Sequence, residues 1–345
     1  MSRARAVIAT LLAIITVLPV HSQVGGISSD LRVGPQVGTR LPDLSVVDAY
    51  GVRRTVSSLA GPRGLLLMFF RSVGWCAYCR LQLVDFQKNA SRLAARGLAA
   101  AAITTDEPGA LRAFAARHRI TIPLLWDHEA TIAATLGLLM PQAPETAPRP
   151  PLPYEGVLWI DAGGVVRARY FEGSYHYRQT LASTLIRIGL GREVRGTRID
   201  TPHLAATIYV SDAAAAPGTR VALIVDVKPA AGLSVYGVTD QRAPELRLDV
   251  DPQDLVVFHP LMLPPPERES LPALGERLLV YRQPFRLMRQ ASIVASPEAR
   301  ALAANNGSLE IGGRFEYRAC DSTRCYPPVS LSIHWTVKLK AIDLD

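Results

Sequence analysis

The sequence predicts two units in tandem: an α/β unit built on parallel strands, then an all-β unit. Three observations carry this. An apolar run, Leu65-Leu66-Leu67-Met68-Phe69-Phe70, of the kind that makes a buried strand, hands over to a helical pattern in which Leu83, Phe86, Ala90 and Leu93 recur. Strand-like and helix-like stretches then alternate as far as Gly189-Leu190-Gly191. Beyond about residue 203 the texture changes, and strand follows strand with no helix of length. The 345 residues, 48% of them hydrophobic, suffice for two packed cores.

In chain order, residues 1–22 read as a secretory signal peptide. Arg3 and Arg5 make a basic start, Val7 to Val20 an apolar core, and Val20-His21-Ser22 a cleavage site after Ser22. The core is short for a membrane span and is broken by Pro19, so an uncleaved anchor is the weaker reading. No later stretch is long and apolar enough to cross a bilayer. The expected location is outside the cytoplasm, in a periplasm. Residues 24–40 read as a loose leader, and the first unit is set at 36–191. Leu44, Val46 and Val47 predict a first strand, 65–70 the central strand, and Cys76 the start of a helix stopped at Gly97. Ala99 to Thr104 predicts a parallel strand, Asp106-Glu107-Pro108 a capped helix start, and Glu129 to Leu136 a short helix. Pro141 to Pro153 must be an irregular loop. Strands from Val157 and over Val165 to Phe171, then a helix over Tyr177 to Ile188, complete the unit.

The two cysteines of Val73-Gly74-Trp75-Cys76-Ala77-Tyr78-Cys79-Arg80 fall where the buried strand gives way to the helix. A helix N-terminus has unpaired N–H groups and partial positive charge, which favour a thiolate. Arg80 in the same turn, and Arg71 at the strand end, push the same way. Cys76 is then the nucleophile, and Cys79 attacks the mixed disulfide formed at Cys76 and releases the partner.

Strand, Trp-Cys-x-x-Cys and helix together resemble the thioredoxin fold. Leu41-Pro42-Asp43-Leu44 and Val157-Leu158-Trp159-Ile160-Asp161-Ala162-Gly163-Gly164 narrow this to the redoxin branch, the AhpC/TSA family, an antioxidant family that includes peroxiredoxins. That resemblance implies a loop before the strand at Val157 that faces the cysteines through a cis-proline, with Pro153 as the candidate. The position nearest the strand holds Glu155. It reads either as a solvent-facing loop glutamate, the commoner outcome, or as a proton acceptor for Cys79. The buried acid that the fold places on its central strand is missing, since Met68 and Phe69 occupy that region.

Residues 192–203, polar and with Pro202, read as a linker, and 204–345 as the second unit. Its clearest strand runs from Val329 to Leu339, where apolar and polar residues alternate. Strand runs with Pro/Gly turns indicate a β-sandwich. Between its last two strands lies Tyr317-Arg318-Ala319-Cys320-Asp321-Ser322-Thr323-Arg324-Cys325-Tyr326-Pro327-Pro328, which places the second cysteine pair at a hairpin tip, reachable from solvent. This string, with Val225 to Tyr236, resembles the immunoglobulin-like N-terminal domain of the thiol:disulfide interchange protein DsbD. The fold class is therefore an α/β thioredoxin-like domain followed by an all-β immunoglobulin-like sandwich. The resemblance implies an exchangeable disulfide, with Cys325 forming the mixed bond and Cys320 resolving it. A structural staple is the plain alternative.

Net charge is +8, but no basic run interleaved with aromatics supports nucleic-acid binding. The seven histidines show no metal-ligand spacing, the four cysteines fall in separate units, and no cofactor is implied. Three functions remain. The first is an extracytoplasmic thiol–disulfide oxidoreductase acting on protein thiols and disulfides with an upstream thiol donor or acceptor, relaying electrons between Cys76/Cys79 and Cys320/Cys325. The second is a thiol-dependent peroxidase, against which Phe69 and Val73 stand where peroxiredoxins set proline and threonine or serine. The third is a non-catalytic binding module with structural disulfides.

Overall fold

The computed structural model describes residues 31–42, 44–141, 151–174, 176–191, 196–237, 246–271 and 276–341. The expected signal peptide, the middle of the Pro141–Pro153 loop and residues 192–195 of the expected linker lie outside them. Among the described residues no helix is long and apolar enough to cross a membrane.

The first unit is a seven-stranded sheet. Its strands are β1 (Ser45–Asp48), β2 (Arg53–Thr55), β3 (Gly64–Phe69), β4 (Leu98–Thr104), β5 (Leu124–Trp126), β6 (Glu155–Ile160) and β7 (Val166–Glu172), in the order β2-β1-β5-β4-β3-β6-β7. The three central strands β5, β4 and β3 run parallel, as expected of a βαβ alternation; β6 and β7 are antiparallel additions on one side, β1 and β2 on the other. β3 is buried along its whole length, because helices cover both faces. Leu66, Met68 and Phe70 face α2 (Ala77–Lys88), α4 (Pro108–His118) and α6 (Leu181–Arg187), and Leu65, Leu67 and Phe69 face α5 (Thr131–Thr135). Two short helices, α1 (Val56–Leu59) and α3 (Ala90–Ala94), complete the layer, α3 following α2 after a break at Asn89.

Two boundaries differ from expectation. The helix expected from Tyr177 begins only at Leu181, capped by Thr180, whose Oγ1 accepts the Ser183 N–H at 3.1 Å. The residues before it form a short strand, β8 (Arg178–Gln179), which pairs with the second unit. The expected linker contains a strand, β9 (Thr197–Asp200), hydrogen-bonded to the second unit's sheet.

The second unit is strand-rich, as its alternating pattern requires. β10 (Leu204–Val210), β11 (Ala214–Ala215), β12 (Thr219–Pro229), β13 (Ser234–Tyr236), β14 (Arg247–Val250), β15 (Val256–Met262), β16 (Glu267–Leu271), β17 (Glu276–Tyr281), β18 (Phe285–Ile293), β19 (Ser308–Tyr317), β20 (Ala319–Cys320) and β21 (Val329–Leu339) make three sheets. Their orders are β15-β18-β12-β10-β9 with β8 against β12, β11-β21-β19-β14, and β16-β17-β13-β20. The inner faces of β10, β12 and β18 share one core with β19 and β21, centred on Leu223, Val225, Leu287, Phe315 and Trp335. One helix, α7 (Pro297–Ala304), departs from the all-β expectation. On the outer face of β12, Ala222 and Ile224 pack against Ile186 of α6, so the two units share an apolar contact.

Candidate active site

The site begins where β3 ends. Asp106 holds the turn that follows: its carboxylate accepts the Ser72 hydroxyl at 2.8 Å and the Val73 N–H at 2.5 Å. It does not cap α4, as the sequence suggested; the N-cap of that helix is Glu107, without a side-chain bond. Cys76 is the N-cap of α2, and its sulfur accepts the Cys79 N–H at 3.2 Å. The helix therefore points an unpaired N–H at that sulfur, as the sequence predicted. Cys76 and Cys79 form a disulfide, and both residues are fully buried. Trp75 beside them is half exposed, at 49%.

β6 brings Glu155 beneath this disulfide. Its Oε1 lies 2.9 Å from Cys79 Sγ and 3.6 Å from Cys76 Sγ, and the residue has no exposed surface. The solvent-facing reading of Glu155 is thus corrected: β6 starts two residues earlier than expected, and position 155 points into the core. Two guanidiniums hold the carboxylate. Arg178 is paired with it directly, and Arg71 Nε is 3.5 Å away. Burial pushes the Glu155 carboxyl up, because a charge there has lost its water; the two arginines only partly offset this. A carboxyl so placed can hold a proton beside Cys79 and exchange it with the sulfur.

Arg178 also reaches the sulfurs, with Nη2 at 3.7 Å from Cys76 Sγ and 3.8 Å from Cys79 Sγ. Burial, opposed by Glu155, pulls its own pKa down. The side chain is fixed by two bonds from Nη1, to the carbonyls of Tyr177 at 2.7 Å and Ser174 at 3.1 Å. Next to Glu155 across the β6–β7 ladder stands Glu172, its register partner. Glu172 is paired with Arg220 of β12 at 2.6 Å and accepts from Gln179 at 3.3 Å. Burial pushes Glu172 up to about 7 in spite of Arg220. Arg220 in turn donates to Ser292 at 2.9 Å, and Ser292 bonds His259 at 2.8 Å.

The remaining expected site residues fall out as follows. Arg80 donates to the Gly74 carbonyl at 3.4 Å; the guanidinium brought to the sulfurs is that of Arg178. Pro153 is buried and bridges Leu139, and the described residues contain no cis peptide bond, so it does not fill the cis-proline role. Cys76, Cys79 and Glu155 offer ligand atoms within 4.8 Å of one another, but the two arginines on Glu155 oppose a cation there. Arg178 was missed because nothing local marks it among 38 Lys and Arg residues.

The second pair is also a disulfide, Cys320–Cys325, across an isolated bridge. Asp321 closes its loop by accepting from Thr323, the Arg324 N–H and the Tyr326 hydroxyl, which hold its carboxyl well below the usual range. The expected accessibility is halved: Cys320 is buried in β20 against Ser234, and Cys325 is half-buried. Tyr326 packs on His203 at 4.7 Å between ring centres, and the His203 carbonyl accepts the Ala230 N–H just past the end of β12. Arg178 pairs with Thr219 at the other end of that strand. At ~3.3 Å per residue β12 spans roughly 30 Å between the contact of the first disulfide's surroundings at Thr219 and that of the second's near Ala230.

Residues 37–169 match the AhpC/TSA family. Among solved structures, the chain is similar to a peroxidoxin, BcpB, from Mycobacterium tuberculosis, with 22% identity, 40% of this chain and 87% of that one covered, and a TM-score of 0.36. It is also similar to reduced Prx3 from Vibrio vulnificus in complex with hydrogen peroxide, with 19% identity, 45% and 99% covered, and a TM-score of 0.40. No curated protein matches. The match to the AhpC/TSA family thus spans residues 37–169, and within it Cys76 and Cys79 are joined as a disulfide.

Proposed function

We propose that this protein is a thiol–disulfide oxidoreductase acting outside the cytoplasm, with Cys76 as nucleophile, Cys79 as resolver and Glu155 as their proton carrier. The observation that carries it is the Glu155 carboxyl, buried 2.9 Å from Cys79, beneath a disulfide seated at a helix N-terminus. A donor thiolate attacks Cys76 and forms a mixed disulfide. The Cys76–Cys79 bond breaks, its electron pair stays on Cys79, and Glu155 supplies the proton. The donor's second thiolate then attacks the donor sulfur and releases Cys76 as a thiolate. The donor loses two electrons and two protons; one proton restores Glu155 and the other goes to solvent. The steps run in reverse when the protein is the reductant. The apolar leader and the two disulfides support an oxidising, exported setting.

The relay to Cys320/Cys325 is proposed between chains, because a separation of roughly 30 Å along β12 is too long for direct attack within one chain. Purified protein should reduce a disulfide substrate when supplied with dithiol, and Cys76→Ser should abolish this. In Cys79→Ser/Cys320→Ser protein, a Cys76–Cys325 bond should join two chains and fade on dilution. A cross-link indifferent to dilution refutes the interchain route, and none at all removes the relay.

A peroxidase is the second reading, favoured by one observation: both sulfurs are buried, which suits a substrate as small as a peroxide. Ser72, the nearest upstream hydroxyl, is engaged by Asp106. Rapid, saturable peroxide consumption that depends on Cys76 would put this reading first.

A further inference from the structure

The strand-rich unit reaches the redox centre at three points, all within residues 218–220. β8 has its ladder partner in β12: the Arg178 N–H donates to the Gly218 carbonyl at 3.0 Å, and the Thr180 N–H to the Arg220 carbonyl at 3.2 Å. Gly218 lies against Tyr78, the residue before Cys79. It has a φ of +83°, and a Cβ there would stand 2.3 Å from the Tyr78 ring. Arg220 pairs with Glu172, the strand neighbour of Glu155. β12 has this edge free because its partner β10 ends at the Val210–Leu223 pair, and β8 takes the place beyond.

We propose that the strand-rich unit is a working part of the redox centre: residues 218–220 hold Arg178 in place, and Arg178 is a catalytic residue that stabilises whichever sulfur carries the negative charge. The inference rests on the redox reading of Cys76–Cys79. Its geometry is one guanidinium nearly equidistant from both sulfurs, at 3.7 and 3.8 Å. In the exchange the charge falls first on Cys79, when the internal disulfide breaks, and then on Cys76, when the mixed disulfide breaks. A planar fork between them serves both steps without moving, while also engaging Glu155. A two-residue strand has no stability of its own, so the backbone of Arg178 is placed by β12, while Glu155 and the Tyr177 and Ser174 carbonyls orient the side chain.

The test uses the reduced full-length chain and follows the alkylation rate of Cys76 against pH, which reads thiolate formation without any partner. Arg178→Gln should raise the apparent thiol pKa by about one pH unit or more, the range for losing an opposite charge at this distance. Arg178→Lys should recover part of the shift. Gly218→Ala removes no charge but drives Tyr78 and β8 away from the sulfurs, and should shift the profile the same way. Should Arg178→Gln alone fail to fold with Glu155 left to Arg71, Glu155→Gln and Glu155→Gln/Arg178→Gln form the comparison. Superimposable profiles in that comparison, or a lysine that recovers nothing, overturn the role of Arg178. An unchanged profile for Gly218→Ala overturns the role of the strand-rich unit. A native chain whose Cys76 shows no thiolate reactivity refutes the proposed function instead.

Discussion

Glu155 stands at the first position of β6, and its side chain leaves the sheet face beneath the disulfide, where it has no water to face. The energetics are those of a buried ion cluster: the carboxylate balances Arg71 and Arg178, and removing it takes a counter-charge from both guanidiniums. Glu155→Gln should therefore cost about 3–5 kcal/mol of stability, as expected for breaking a buried pair. It should also slow dithiol-driven exchange about 100-fold, the lower end of what a positioned proton carrier contributes. Thermal melts alongside turnover separate the two effects. A lowered melting temperature with turnover unchanged would make Glu155 a structural counter-ion only.

At the scale of elements, the turn between β3 and α2 decides where Cys76 sits. It is held from outside by Asp106, in the link between β4 and α4, which accepts from Ser72 and Val73. Burial raises the Asp106 pKa, and these two bonds partly offset the cost. Asp106→Ala should lose about 1–3 kcal/mol, the penalty for leaving buried donors unpaired. It should also loosen the helix N-terminus, seen as faster amide exchange at Val73 and Gly74 than in α4. The periodicity that predicts a helix from Tyr177 fails at Arg178 and Gln179 because the Arg178 and Thr180 N–H groups are donated to the Gly218 and Arg220 carbonyls before a helical turn can close. Helical pattern is a local signal, and a ladder partner 41 residues away in sequence overrides it here, Thr219 against Arg178.

For the whole molecule, the contact between the units concentrates buried acids. Glu172 is pushed up to about 7 and Asp212 to about 6, in both cases chiefly by burial. Asp212 accepts from Thr180 at 2.7 Å and Ser211 at 2.5 Å, and neighbouring Asp85 raises it further. The sign follows from linkage. A raised carboxyl binds its proton more tightly in the folded chain, so folding loses stability as pH climbs from the unfolded value near 4 to the folded value near 7. Asp48, with its pKa lowered, gains its stability below that window. The melting temperature should thus be higher at pH 5.5 than at pH 8, and Glu172→Gln/Asp212→Asn should flatten the difference. A melting temperature that instead rises from pH 5.5 to pH 8 in the native chain would show that the arginine pairs dominate the burial cost.

The sequence by itself determined the elements that local pattern encodes. The buried strand at 65–70, the cysteines at the following helix start and the alternating strand at 329–339 are each written in consecutive residues, because strand and helix periodicity act over a few positions. β18 carries no such pattern, since burial of a sheet on both sides erases alternation, as along Arg289 to Ile293, and β14, although it alternates, is too short at four residues to stand out. Only the tertiary structure decided that Glu155 is buried, that Arg178 stands over both sulfurs, and that residues beside the two disulfides contact opposite ends of β12. The first two depend on chain segments 76 to 102 residues apart meeting in space, and electrostatics between such segments leave no mark on spacing or composition.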